Sequence, residues 1–142
     1  MKVYRMALAV FLLTACTTPH QSNRSDAPVI ESERRPSPGS HQMLRAPITL
    51  ADGLEVIISD VVIPPDATVS RHYHPGEEFI YVIEGSAVHI EEGKADLTLE
   101  AGDAYVIPPE AIHSARGSTE GARAIIFRVH VEGEEERIPV EK

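Results

Sequence analysis

Two histidines separated by a single residue, His72 and His74, and a glutamate four positions on, Glu78, are the side chains of this sequence best placed to do chemistry. Residues two apart on a β-strand project from the same face, so the two imidazoles would stand side by side. Pro75 and Gly76 turn the chain and bring Glu78 to the start of an apolar run, Phe79 to Ile83. Two imidazoles and a carboxylate form an N/N/O set suited to a divalent transition metal. Downstream, the segment GDAYVIPPEAIH (102–113) could add a third imidazole, His113, from a neighbouring strand. Gly85 ends the first run, where a tight turn would need positive φ.

The elements that must position these residues read as short strands divided by turn residues. Asp52-Gly53 is a hairpin signal, and Leu54 to Ile63 is a β-branched run stopped by Pro64-Pro65-Asp66. Thr68 to His74 carries the two histidines. Glu78 to Glu84 is apolar on both faces, the pattern of a strand covered on both sides. Ser86–Glu92 and Ala95–Glu100 form a hairpin around Glu92-Gly93-Lys94, and Leu97 and Leu99 share a face. Ala104 to Ile107 is a short strand closed by Pro108-Pro109. Arg123 to Val131 is the last long strand, with Ile125, Phe127, Val129 and Val131 on one face. No amphipathic helix, phosphate loop, CxxC pair or repeat follows the first residues. The expected class is all-β.

The two histidine-bearing segments together resemble the paired motifs of the cupin superfamily. The first motif reads G, five residues, HxH, three or four residues, E, six residues, G. Here His72, His74, Glu78 and Gly85 fall at those spacings, with Asp66 in place of the leading glycine. The second reads G, five residues, PxG, two residues, H, three residues, N. Gly102, Pro108 and His113 match it, while Glu110 replaces the glycine of PxG and Gly117 the final asparagine. None of these three departures is a ligand position, so they bear on loop shape. The resemblance covers roughly Ile48 to Gly133. It implies a single small jelly-roll β-barrel with His72, His74, Glu78 and His113 as metal ligands lining its interior. Iron, manganese, nickel, copper and zinc all suit such a set.

The wording of the motifs is similar to small bacterial cupins of the quercetin-dioxygenase-like kind. That resemblance implies a metal-dependent dioxygenase acting on a small oxidisable organic substrate, with Glu78 as a catalytic proton acceptor. The alternative is a non-catalytic module of the cell envelope that binds or senses a small molecule or metal. A cupin-type sugar isomerase or epimerase is a third, weaker option. Folds of this breadth do not choose among these functions.

Other polar residues have plainer readings. Strand parity points Glu77 away from the cavity, although Pro75-Gly76 could reset the parity and make it the ligand instead of Glu78. His89 and His130 lie on strands as packing residues that could also reach the cavity. Tyr73, Tyr81 and Tyr105 read as core or rim, and His20 and His41 as incidental. Arg116 and Arg123 could meet an anionic substrate, but their spacing does not say so.

The chain has 142 residues, room for one ordinary domain, with a net charge of −9, 5% aromatics and no tryptophan. Such an acidic surface repels phosphates and argues against nucleic-acid binding. Residues 1–15 carry Lys2 and Arg5 and then an apolar run from Met6 to Leu13, the pattern of a secretory signal peptide. Leu13-Thr14-Ala15-Cys16 resembles a bacterial lipobox, which implies lipidation of Cys16, the single cysteine. The expected location is the cell envelope, on the periplasmic side of the outer membrane if the host is Gram-negative, held by the lipid anchor. Cleavage before Cys16 would leave 11 basic and 22 acidic residues, a net −11. Residues 16–47 read as the lipidated cysteine and a disordered tether, with Met43 to Ile48 able to dock as an edge strand. Residues 48–133 are the barrel domain, and 134–142 a charged tail ordered only in part. An exposed sheet edge makes a homodimer plausible.

Overall fold

The computed structural model describes residues 36–141. The expected signal peptide, Cys16 and tether residues 17–35, His20 among them, lie outside the described residues. Among the described residues the structure is all strand, eight in number and without a helix. They form an antiparallel barrel.

The chain runs β1 (Gly39–Pro47), β2 (Leu54–Ile63), β3 (Thr68–Tyr73), β4 (Glu78–Glu91), β5 (Leu97–Glu100), β6 (Ala104–Ile107), β7 (His113–Val131) and β8 (Ile138–Pro139). Two long strands organise the rest. β7 pairs with β2, β3 and β4, and β4 pairs with β5, β6 and β7. The first half of β4 lies between β6 and the second half of β7. The second half of β4 lies between β5 and the first half of β7. Both long strands therefore belong to both halves of the barrel.

The crossing point is Gly85. Instead of ending a strand, Gly85 stays inside the 14-residue β4, with φ of 65° and register shifts on either side. A Cβ there would sit 2.1 Å from the Gly121 carbonyl oxygen of β7. Only glycine allows both the left-handed backbone and this approach, so β4 bends and continues.

Alternation decides which side chains turn inward. On β2, burial alternates along the first half of the strand; Val61 and Ile63, of the same parity as the buried Ile57, line the cavity, and Val62 is buried on the opposite face. Val82, Leu99, Ile107, Ala122 and Ile126 complete the buried apolar set. Full burial of each larger aliphatic contributes about 1.5–3 kcal/mol. β4 is covered on one face only, contrary to the two-sided expectation: Phe79 and Tyr81 are 42% and 48% exposed on its outer face. Phe127, their neighbour on β7, also faces outward, so the inner face of β7 is the one carrying Ala122, Ala124, Ile126 and Arg128.

Two segments differ from the expected boundaries. Residues 39–47 form β1, paired with β2 from Gly39↔Val62 to Pro47↔Glu55, so the barrel begins before Ile48. Most β1 side chains are exposed. Main-chain pairing holds this strand, and no apolar pattern announces it. At the other end, Ile138 and Pro139 form β8 on β3, and Val140 N–H donates to the Arg71 carbonyl at 3.1 Å. The charged tail is thus part of the sheet.

Candidate metal centre

β3 and β7 bring the histidines together. His72, near the end of β3, is the cross-strand partner of His113, the first residue of β7. His74 lies two residues beyond His72 on the same face. Ring centroids are 4.3 Å apart for His72–His113, 4.9 Å for His72–His74 and 5.5 Å for His74–His113. One nitrogen from each ring lies within 4.8 Å of the others, and all three residues are buried.

The orientation of each ring is fixed from behind. His72 Nδ1 bonds the Ser70 carbonyl at 2.8 Å, His113 Nδ1 the Ala111 carbonyl at 2.9 Å, and His74 Nδ1 the Glu136 carbonyl. A carbonyl oxygen only accepts, so Nδ1 carries the proton and Nε2 keeps its lone pair. Burial first, and then the nearby His113, hold the His72 pKa down to about 3; burial likewise lowers that of His113. At neutral pH both rings are therefore uncharged, the form a metal requires.

Glu78 opens β4 opposite Arg128 of β7. Its carboxylate is buried, and Arg128 Nε donates to Oε2 at 2.5 Å. Burial pushes the Glu78 pKa up, but the contact with His74 and the Arg128 charge outweigh it and hold the group at about 2. Oε2 also lies 3.0 Å from His74 Nε2, a buried nitrogen without a hydrogen-bond partner. With Nδ1 turned to the Glu136 carbonyl, that contact is favourable when Nε2 also carries a cation, proton or metal. The donor set thus fits a divalent ion: three imidazole nitrogens, with a carboxylate adjoining. The group within 4.8 Å comprises the three histidines without Glu78.

The centre opens into a cavity of about 270 Å³. Its body is apolar, with Val69, Ile80, Val82, Leu99, Ile107 and Ile126 on the walls, and its polar end holds the histidines, Glu78, Arg128, Glu136 and Arg137. His89 also lines it. This imidazole is buried, and its Nε2 lies 3.2 Å from Glu91 Oε2. Glu91 in turn takes Tyr105 Oη at 3.2 Å and Lys94 Nζ at 2.7 Å, so the network runs from the cavity wall to the surface.

The remaining sequence candidates lie elsewhere. Glu77 is exposed, while its carbonyl accepts from Val129 N–H. His130 is buried against the Glu134 carbonyl, outside the cavity lining, and His41 bonds the Ser37 carbonyl. Arg123 holds Asp60 and Glu84, and Arg116 is exposed. Tyr73 is half-buried and Tyr81 faces out. At two motif departures the backbone keeps the shape glycine would give: φ is 57° at Asp66 and 60° at Glu110. Glu110 N–H donates to the His74 carbonyl at 2.8 Å, locking the second motif onto the first. Gly117 is needed for space, since a Cβ would meet the Pro64 carbonyl oxygen at 2.5 Å.

Sequence reasoning missed Arg128, Glu136, Arg137 and Glu91. For Arg128 a signal existed: it shares strand parity with Ala124 and Ile126, so an inward face of β7 would carry a charge in need of a partner.

An antiparallel β-barrel with three histidines turned into one cavity, placed so that they could hold a metal ion, defines the class of this protein. The family model described as the cupin domain matches residues 59–130, and the chain belongs to that family. It is similar to a cupin-like protein from Thermotoga maritima, at 24% identity, with 72% of this chain and 75% of that one covered and a TM-score of 0.57. It is also similar to the DMSP lyase DddQ from Ruegeria pomeroyi, at 22% identity over 65% of this chain and 47% of that one, TM-score 0.53. The chain thus spans about half the length of that lyase. A conserved protein with a double-stranded β-helix domain from Klebsiella pneumoniae matches at 25% identity, covering 76% and 90% of the two chains, TM-score 0.51. No curated protein sequence matches significantly.

Proposed function

We propose that the domain binds a divalent transition metal through His72, His74 and His113, with Glu78 as the adjoining carboxylate, and acts there on a small organic molecule held in the apolar cavity. The observation that carries this reading is the pinning of all three Nδ1 atoms by main-chain carbonyls, which leaves three Nε2 atoms for a cation, with the Glu78 carboxylate beside that of His74. A bound ion would supply Lewis acidity and, if redox-active, a route for electrons to dioxygen. The chain's own residues define the rest of the site. The aliphatic walls exclude water and favour an apolar substrate body, and Arg128 and Arg137 at the polar end favour an oxygen-rich head.

The reaction proposed is oxidation of a small enol or catechol-like compound by O₂, a metal-dependent dioxygenase activity. O₂ consumption by metal-loaded protein with a panel of such compounds tests it, and His113→Ala is expected to abolish the uptake. Glu78 would accept the substrate proton only after release from Arg128. That tie favours a second reading, a non-catalytic module that binds a small molecule or metal. Saturable binding without O₂ uptake or product would select it.

We also propose that the domain is lipid-anchored in the cell envelope through Cys16, which rests on the lipobox-like Leu13-Thr14-Ala15-Cys16. Incorporation of labelled palmitate into the wild type, and its loss in Cys16→Ala, is the expected result.

A further inference from the structure

The segment that reads from sequence as a charged tail is folded against the back of the metal centre. β8 pairs with the strand that carries His72, in the register His72↔Pro139 and Tyr73↔Ile138. Just before β8, the Glu136 carbonyl accepts His74 Nδ1–H. Arg137 Nη2 donates at 3.0 Å to the Ser70 carbonyl, the same oxygen that holds His72 Nδ1. Both histidines of the HxH pair are thus held through residues 136 and 137.

The Glu136 side chain adds a second connection. Its carboxylate takes Arg128 Nη1 at 2.6 Å and Arg45 Nη2 at 3.0 Å. Arg128 bonds Glu78, and Glu78 contacts His74. His74, Glu136, Arg128 and Glu78 therefore form a closed circuit around one ligand. Residues 136 and 137 lie beyond the 59–130 stretch matched by the cupin domain model.

We propose that Glu136 is a positioning residue of the metal centre, and that docking of the C-terminal segment and metal binding are coupled. The inference rests on the metal-binding reading of the three histidines. Two physical effects carry it. The Glu136 carbonyl fixes the His74 ring and its tautomer, and a ring freed of such a partner loses the pre-organisation that favours ligation. The Glu136 carboxylate offsets the Arg128 charge, which leaves the negative charge of Glu78 available to a cation. Coupling is reciprocal, so the metal must tighten the docked segment by the factor the segment adds to metal affinity.

The experiment is Co(II) titration of the full chain, followed by its d–d absorption bands, with Zn(II) competition for affinity. Three proteins are compared: wild type, Glu136→Gln and a chain ending at Glu135. The shortened chain is expected to bind about 10- to 100-fold more weakly, with altered bands. Glu136→Gln keeps the main-chain carbonyl and is expected to lose less. In the wild type, Zn(II) should slow tryptic cleavage after Arg137. Equal affinity and identical bands in wild type and shortened chain, or cleavage indifferent to Zn(II), would overturn the proposal. If the shortened chain loses its β-sheet circular dichroism, Glu136→Gln and the cleavage assay decide. Absence of Co(II) binding by the wild type would remove the metal reading and this inference together, whereas wild-type binding lost in His113→Ala but kept in both tail variants would remove this inference alone.

Discussion

Arg128 and Glu78, fifty residues apart, face each other across the pairing of β7 with β4 and join by a 2.5 Å hydrogen bond between buried side chains. The pair ties the strand that opens the first motif's carboxylate to the strand that begins at His113. Burial makes the pairing asymmetric in its consequences. Two joined charges are tolerated inside the barrel, but one alone is costly.

Replacing Arg128 by methionine keeps the length of the side chain and strands Glu78 without its cation. The expected loss of stability is about 3–5 kcal/mol. Urea denaturation of metal-free protein measures it. Arg128→Lys should recover only part, because an ammonium cannot reproduce the planar guanidinium contacts to Glu78 and Glu136. Equal midpoints for wild type and Arg128→Met would refute the pairing.

Metal-free protein should lose stability as pH falls, in two overlapping windows. His72 is held uncharged to about pH 3 when folded, mainly by burial, against an ordinary value of 6.5. The unfolded chain therefore takes up that proton first, and stability declines from about 6.5 downward. Glu78 adds a second decline between 4.5 and about 2, because the contribution of its ionised form disappears as it protonates. His72→Leu should flatten the upper window and Glu78→Gln the lower. Denaturation midpoints that stay constant from neutral pH to pH 4 would contradict this.

Gly76 has no room for a side chain. A Cβ there would fall 1.7 Å from the Val129 carbonyl oxygen, where β7 passes the turn between His74 and Glu78. Gly76→Ala must push the two backbones apart, at a cost of about 3 kcal/mol or more. The same displacement moves Glu78 relative to His74, so thermal stability and metal affinity should fall together.

Glu110 points to a stabilising change. Its φ of 60° is a left-handed conformation unfavourable for glutamate, in the turn that reaches the His74 carbonyl. Glu110→Gly relieves that strain and loosens the unfolded chain, for a net gain of about 0.5–1 kcal/mol. Glu110→Ala, which keeps the Cβ, should gain little. A lower melting temperature for the glycine variant would show that the side chain does more than tolerate the turn.

The histidine triad was legible in two parts: HxH places two rings on one face of one strand, and His113, 41 residues from its partner His72, falls at the histidine position of the second cupin-like motif. Turn chemistry at Asp52-Gly53 and Glu92-Gly93-Lys94 likewise marks the β1–β2 and β4–β5 connections. What stayed hidden depends on contacts far apart in sequence. Arg128 meets Glu78 across 50 residues and Glu136 meets His74 across 62, and no spacing rule connects them. β1 was hidden for a different reason. An edge strand stabilised by main-chain bonds to β2 carries no buried stripe, and GSHQMLRAP shows none.

The outer faces of β4 and β7 show how alternation can mislead. Phe79 and Tyr81 suggested a strand covered on both sides, yet both, like Phe127 beside them on β7, are at least 40% exposed. The inward positions next to them hold Glu78, Ile80, Val82, Ile126 and Arg128, because the barrel gives its interior to a cavity with aliphatic walls and a polar end.

The most direct measurement is elemental analysis of the domain from about Thr17 onward, purified without chelator or affinity metal, with His113→Ala prepared in parallel. Near-stoichiometric iron, manganese, nickel, copper or zinc in the wild type, lost in the variant, is the expected result. A wild type that retains no metal after loading with each of these ions would contradict the account, and the barrel would then be a small-molecule shell without a metal centre.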